Sequence, residues 1–460
     1  MKSISFFAVL GALFFISYQA VAFEAGEHAL LGNSAFNQVV PDKKDYEFQR
    51  LLNAGSFTYG ELVALGGDFY KTPEGMLLHN APYFSWFHND NQERIKKCIR
   101  KEIKAIREER QYTTCEDIDL IRSKAQYVTG AHDNFSHFSW HNVKNYVRYH
   151  SMALKFALLY HYKITGDSTT FSDVLEQLPY KDEDGWLAGI LSGRSYLSKE
   201  YIGELTTEQL ESTAIYFNAF ADHFLTDAFS AGHLRVPRSQ IDAYIKDRDA
   251  FLISLDSSPS YLELERKQGT VRSGAYVQFL HNLDGKSKGV LVTNSKKNIF
   301  YVRGDKYLFA DSTGKLTNHP NSNITAKIVI QALRSSIAEL KLVFLHGRKG
   351  LPGIYKATEF IPTPHMSSKS LVSEVQNFAR SKRYDDIIGM LSDSVGGLYV
   401  TLVSDNEAKF YRFIEDLPKI MEKFRRDIAY EIKKDSKKGE ESGFVKFISP
   451  SYLRNIQKIR

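Results

Sequence analysis

Between Thr206 and His233 the sequence reads TTEQLESTAIYFNAFADHFLTDAFSAGH, and its last eleven residues set the hardest constraint on the fold. Apolar residues return at three- and four-residue intervals, the mark of a helix that turns a face to a core. His223, Asp227 and His233 are the ionisable residues of 223–233, and the others are apolar or small. Charged groups are rarely buried unless paired, so a fold that takes this helix inside must supply partners for two imidazoles and a carboxylate. Residues four apart share a helix face, so His223 and Asp227 can present a nitrogen and an oxygen to one ion. Ala231-Gly232 can then bend or end the helix and turn His233 toward a neighbouring position. These three ligand types suit zinc. The bland alternative is hydrogen bonding within a helical bundle.

The rest of the chain reads as mainly α. From Phe23 to about residue 230 the period is mostly helical, as in HNVKNYVRYHSMALKFALLYHYK. Residues 286–317 break the pattern with short β-branched and aromatic runs separated by Asn-Ser, Gly-Asp and Thr-Gly, which predicts a small β excursion. A helix is expected from about Ile324 to Leu345, followed by a linker in HGRKGLPG. Residues 346–460 are expected to form a separate, mostly helical C-terminal region of charged amphipathic helices, with no group of catalytic type.

Residues 1–22, MKSISFFAVLGALFFISYQAVA, have one early lysine, an uncharged apolar run and a small-x-small ending, the composition of a signal peptide cleaved after Ala22. No later run reaches the roughly 20 apolar residues that span a bilayer. The expected product is an exported protein, periplasmic or extracellular, without a transmembrane segment. In an oxidising compartment Cys98 and Cys115 are expected to form one bridge, the alternative being two unrelated thiols. With 460 residues, 43% hydrophobic, the chain can bury a large core, and its formal charge of +6 selects neither anionic membranes nor nucleic acid as a partner.

Other stretches add candidates for the same chemistry. Cleavage after Ala22 leaves FEAGEH at the start, with a free α-amine on Phe23 five residues ahead of His28. An amine with a pKa of roughly 8 gives up its proton readily to a metal, and its own carbonyl can complete a chelate. ALGGDFY offers Asp68 beside two glycines, NFSHFSWHN offers His137, and FLHNLDG offers His281 with Asp284. His141, His150 and His161 share a helical pattern and are read as core or supporting histidines. His79, His88, His132, His319, His346 and His365 have no partner spacing and are read as surface or loop residues.

On these residues the chain resembles the zinc-dependent phospholipases C and the related single-strand nucleases, and most the bacterial secreted branch that includes Legionella and Pseudomonas phospholipases C. The family motif His-x3-Asp-x5-His is matched by His223, Asp227 and His233, and its N-terminal aromatic and following histidine by Phe23 and His28. Its first aspartate falls on Asp68 and its His-Phe pair on His137-Phe138. The final His-x3-carboxylate is met imperfectly, because His281 and Asp284 have two residues between them. The likeness covers roughly residues 23–340.

The resemblance implies a helical phospholipase C/nuclease-type catalytic domain over 23–345 with three zinc ions. One is held by Asp68, His137, His223 and Asp227, a second by Phe23, His28 and Asp227, and a third by His233, His281 and Asp284. It implies Asp68 as the carboxylate that orients or deprotonates the attacking water. Phe69, Tyr70 and Phe138, with Phe135 and Trp140, are candidates for a substrate cage around a choline cation, with core packing as the alternative. Glu24 and Glu27 lie near, but not on, the position of the family's choline-holding acid. The implied substrate is a phospholipid at a membrane surface, not nucleic acid. A single-strand nuclease on the same metal core is the alternative activity, and a secreted binding protein with structural zinc a further one.

Overall fold

The computed structural model describes residues 24–51, 55–66, 69–70, 72–78, 85–108, 134–180, 197–253, 273–274, 276–277, 279–285, 289–304, 308, 324–387, 407–437 and 443–459; the side chains of 85–94, 134–135 and 248–253 fall outside that description. Phe23, Asp68 and Cys115 therefore lie outside the described residues. Cys98, on the helix Ser85–Arg107, is disulfide-bonded.

The described chain is mainly helical. Helix α1 (Ala25–Val39) begins at a capping box in which the Glu24 amide donates to Glu27 Oε2 at 3.1 Å. A short hairpin, β1 (Glu47–Gln49) with β2 (Ser56–Thr58), leads into α2 (Tyr59–Leu65), whose Thr58 cap and Glu61 satisfy each other's backbone amides. Helix α3 (Trp140–Thr165) and helix α4 (Thr207–Asp227) form the central pair. Tyr149 meets Phe224, Phe156 meets Phe217, and Lys163 donates to the Leu205 carbonyl, so the two run antiparallel. Every residue of α4 from Thr213 to Asp227 is buried, which confirms the helix read from the apolar period as the centre of the core.

Helix α4 ends at Asp227, and Ala231–Leu234 then forms a single turn, α5. The break therefore comes at 228–230, ahead of the Ala231-Gly232 pair that the sequence offered for it. Helix α6 (Arg238–Ile253) follows. The β excursion is a hairpin of β3 (Val290–Thr293) and β4 (Ile299–Val302), turned by Asn294 to Lys297, where Lys297 adopts φ 64°. Helix α7 (Ile324–His346) lies along α3, with Glu339 near His150 and the Phe344 carbonyl accepting from His161 Nδ1. Gly347 takes φ 55°, and a Cβ there would lie 2.6 Å from His161 Cδ2, so the expected linker is instead a turn pressed against α3.

The C-terminal region packs on the core. Strand β5 (Thr363–Pro364) joins β3. Helix α8 (Leu371–Ser381) sets Phe378 against Phe279, 6.0 Å between rings. Helix α9 (Glu407–Ser436) buries Phe410, Phe413, Leu417, Met421 and Phe424 at helical spacing. That face meets the region before it: Phe413 stacks on Tyr276 at 4.4 Å, Tyr244 donates to Asp416 and Trp140 Nε1 to Glu431. No helix among the described residues is long and apolar enough to cross a membrane.

Candidate metal centre

The C-terminal end of α4 carries the site. His223 and Asp227 share one face as the spacing requires, and their side chains are 0% and 1% exposed. His28 arrives from α1, His137 from the turn before α3, His233 from α5 and His281 from the helical stretch 279–285, all at most 3% exposed. Residues as far apart in the chain as His28 and His281 are thereby gathered around one carboxylate.

Asp227 is the hub. Its Oδ1 lies 3.5 Å from His28 Nε2, while its Oδ2 lies 2.6 Å from His137 Nδ1, 3.4 Å from His223 Nε2 and 4.0 Å from His233 Nδ1. His223 Nε2 and His137 Nδ1 are 3.3 Å apart. The His233 ring lies 5.3 Å from that of His281. His28, His223 and Asp227 can each place one ligand atom within 4.8 Å of the others, a buried group able to hold a metal ion.

Two partners fix how the histidines face. The Val63 carbonyl can only accept, so His223 Nδ1, at 3.0 Å, carries the hydrogen. Thr226 donates its hydroxyl to the Asp222 or His223 carbonyl, so its oxygen accepts from His28 Nδ1 at 2.7 Å. Both rings therefore turn an Nε2 lone pair toward Asp227, the arrangement in which a metal-binding imidazole is held by a bond from its other nitrogen. Burial pushes the His223 imidazole down to about 4, against the pull of Asp227, and with help from Arg238 pushes His137 down to about 3. Both are then neutral near pH 7, as ligation requires. Burial pushes the Asp227 carboxyl up to about 7, with His223 and His281 opposing it. Asp227 Oδ1 accepts no hydrogen bond among the described residues.

The backbone approaches closely at two glycines. A Cβ on Gly232 would stand 2.0 Å from His281 Cδ2, so glycine is what admits that ring. A Cβ on Gly66 would stand 3.1 Å from His223 Cβ, which places the C-terminal end of α2 against the site. Ser139 adopts φ 53°, uncommon for a residue with a side chain, and donates its amide to the His233 carbonyl at 2.6 Å. That bond ties the turn carrying His137 to α5.

The other candidates are placed as follows. Asp284 forms a bidentate pair with Arg235, at 2.9 and 2.7 Å. The arginine satisfies both oxygens, which the sequence gave no reason to expect. Phe138 is buried with its ring 4.1 Å from that of His233 and 5.5 Å from the Arg238 guanidinium, so it packs on a candidate ligand. Tyr70 accepts from Arg50 and Phe69 is half-buried. Glu27 caps α1 and accepts from the Leu308 amide. His150 is a core residue between Asn218 and Glu339. Thr226, Val63 and Arg235 were not singled out from sequence. Thr226 alone carried a signal, its place beside Asp227 in the motif.

Comparison with protein-family models, curated proteins and solved structures finds no match for the chain.

Proposed function

We propose that the chain is an exported zinc-dependent phosphodiester hydrolase, a phospholipase C that cleaves phosphatidylcholine-type glycerophospholipids to diacylglycerol and a phosphorylated head group. The observation that carries this reading is the convergence of two oriented Nε2 lone pairs, from His28 and His223, on the buried carboxylate of Asp227. The neutral imidazoles of His223 and His137 beside a carboxylate with an oxygen that accepts no hydrogen bond among the described residues fit a divalent cation by charge and by donor type. Bound there, zinc would supply positive charge to the phosphoryl oxygens and lower the pKa of water.

The chain's own residues have separate tasks in this reading. Asp227, with Oδ1 toward His28 and Oδ2 toward His137 and His223, would hold the metal together with those histidines. Thr226 and the Val63 carbonyl hold the tautomers. Phe138 and Phe224 pack on His233 and His137 and exclude water, which strengthens each charge interaction inside. Asp68 is proposed to take the proton of the attacking water, and the amine and carbonyl of Phe23 to complete the ligand set with His28. His233 and His281 are proposed to hold a third ion.

The test uses purified mature protein with phosphatidylcholine liposomes and, separately, single-stranded DNA, each with and without a chelator. Diacylglycerol release that the chelator abolishes, with no nucleotide release, supports the phospholipase. Chelator-sensitive nucleotide release alone reassigns the same centre to a nuclease. Neither product, from protein that retains zinc, refutes both.

A further inference from the structure

Arg235 carries a full charge at 1% exposure, and each arm of its guanidinium is engaged. Nε donates to Asp284 Oδ2 at 2.9 Å and Nη2 to Asp284 Oδ1 at 2.7 Å, a fork-to-fork pair. Nη1 donates to the Lys369 carbonyl at 2.7 Å, and Nη2 also to Glu374 on α8. Arg235 follows His233 by two residues, and Asp284 follows His281 by three. The pair therefore joins the two segments whose histidine rings lie 5.3 Å apart. On the same segments Gly232 lies against the His281 ring, so a small slip between them moves the imidazole.

We infer that Arg235 is a positioning residue that clamps the His233 and His281 segments together through Asp284, and that the docked Lys369–Glu374 segment completes the clamp. Asp284 then acts on the centre through Arg235 and not as a ligand. The C-terminal region becomes part of the frame of the metal centre. Lysine cannot reproduce the planar fork, so the geometry, and not the charge alone, is what the site uses. The part of this inference that concerns zinc rests on the proposed function; the part that concerns ring placement does not.

Full-length protein labelled with [15N]histidine tests both parts, comparing wild type with Arg235→Lys, Asp284→Asn and Glu374→Gln. Tyr244→Phe serves as control, because it removes a different bond between the core and the C-terminal region, that to Asp416. The expected result is that Arg235→Lys and Asp284→Asn move the ring signals of His233 and His281 but not that of His161. In a zinc titration they weaken the last ion bound by roughly 10- to 100-fold. Glu374→Gln changes both readouts in the same direction by less, and Tyr244→Phe changes neither. Wild-type ring signals in folded Arg235→Lys, or in Glu374→Gln if the lysine variant does not fold, would overturn the clamp. So would equal shifts in Tyr244→Phe, which would reduce the effect to general stability. If wild-type protein takes up no zinc, the proposed function fails while the ring signals still decide the clamp.

Discussion

Gly232→Ala is the smallest change with a large expected effect. The added Cβ would stand 2.0 Å from His281 Cδ2, 2.4 Å from Nε2 and 2.5 Å from Cγ, so the whole ring is in the way. Restoring an ordinary contact of 3.4 Å from 2.0 Å requires about 1.4 Å of movement, from the ring or from the α5 backbone. The backbone is held by the Ala231 amide on the Arg303 carbonyl and by the His233 carbonyl on the Ser139 amide, so the ring is the softer part. Overpacking of this kind costs about 1–3 kcal/mol, which a chain of this size tolerates. The geometric cost is larger, because a displacement of about 1 Å at a reacting centre can lower rate on the order of 100-fold. The expected outcome is a folded protein with a slightly lowered thermal midpoint, weakened zinc binding and phospholipid hydrolysis reduced about 100-fold. Metal analysis, a melting curve in chelator and diacylglycerol release measure the three. A Gly232→Ala protein with wild-type zinc content and turnover would show that His281 is not a ligand or that α5 yields freely.

Asp227→Ala should abolish hydrolysis and remove about two metals per chain, since in the proposed centre one carboxylate would serve two ions; metal analysis of folded protein checks it. A mature protein extended by Gly-Ser before Phe23 should be inactive and one zinc short, because the extension turns the amine proposed as a ligand into an amide; equal zinc content and rate would remove Phe23 from the ligand set. Truncation after Gly350 should leave a poorly folded chain, since it strips Phe413 from Tyr276 and Glu431 from Trp140, and circular dichroism with gel filtration reads the outcome. For Glu47, burial pushes the carboxyl up, but bonds from Ser56, Lys96 and Arg100 outweigh it and hold it at about 2. A depressed folded pKa contributes stability above the unfolded value of 4.5 that is lost as pH falls toward 2; Glu47→Gln should flatten melting temperature over that window.

The core was legible because one physical signal wrote it: apolar residues at helical spacing over Thr207–Asp227 and Trp140–Thr165 become the two helices that pack centrally. His223 and Asp227 were legible for the same reason, being four apart on one helix. Their partners were not readable from spacing. His28 meets Thr226 across 198 residues and His137 meets Asp227 across 90, distances over which no periodicity survives, and a likeness of motifs was needed to suggest them. Asp284 was visible from its place after His281, but its bidentate partner Arg235, 49 residues earlier, was not. The amphipathic face of Glu407–Ser436 was visible too, yet a face does not name what it covers, and here it covers Tyr276 and Phe279 beside the His281 segment.

The chemistry of the hub favours a metal over the simpler alternative of a proton. One proton on Asp227 can be donated to the Nε2 lone pair of His28 or of His223 and leaves the other facing a carboxyl oxygen, because their other nitrogens are committed to Thr226 and Val63. Protonating both rings instead would place two charges beside each other with no exposed surface, and burial holds His223 down to about 4. A divalent cation would be held by all three groups at once and would offset the charge of the carboxylate. Low exposure then increases the attraction, since little water competes for the ion. Thr226→Val separates the two accounts: it keeps the shape of the residue but removes the acceptor that fixes the His28 tautomer. Under the metal account zinc affinity falls about 10- to 100-fold in chelator-buffered titration. Under the proton account the variant behaves as a local core substitution, with a shifted melting point and no metal to lose.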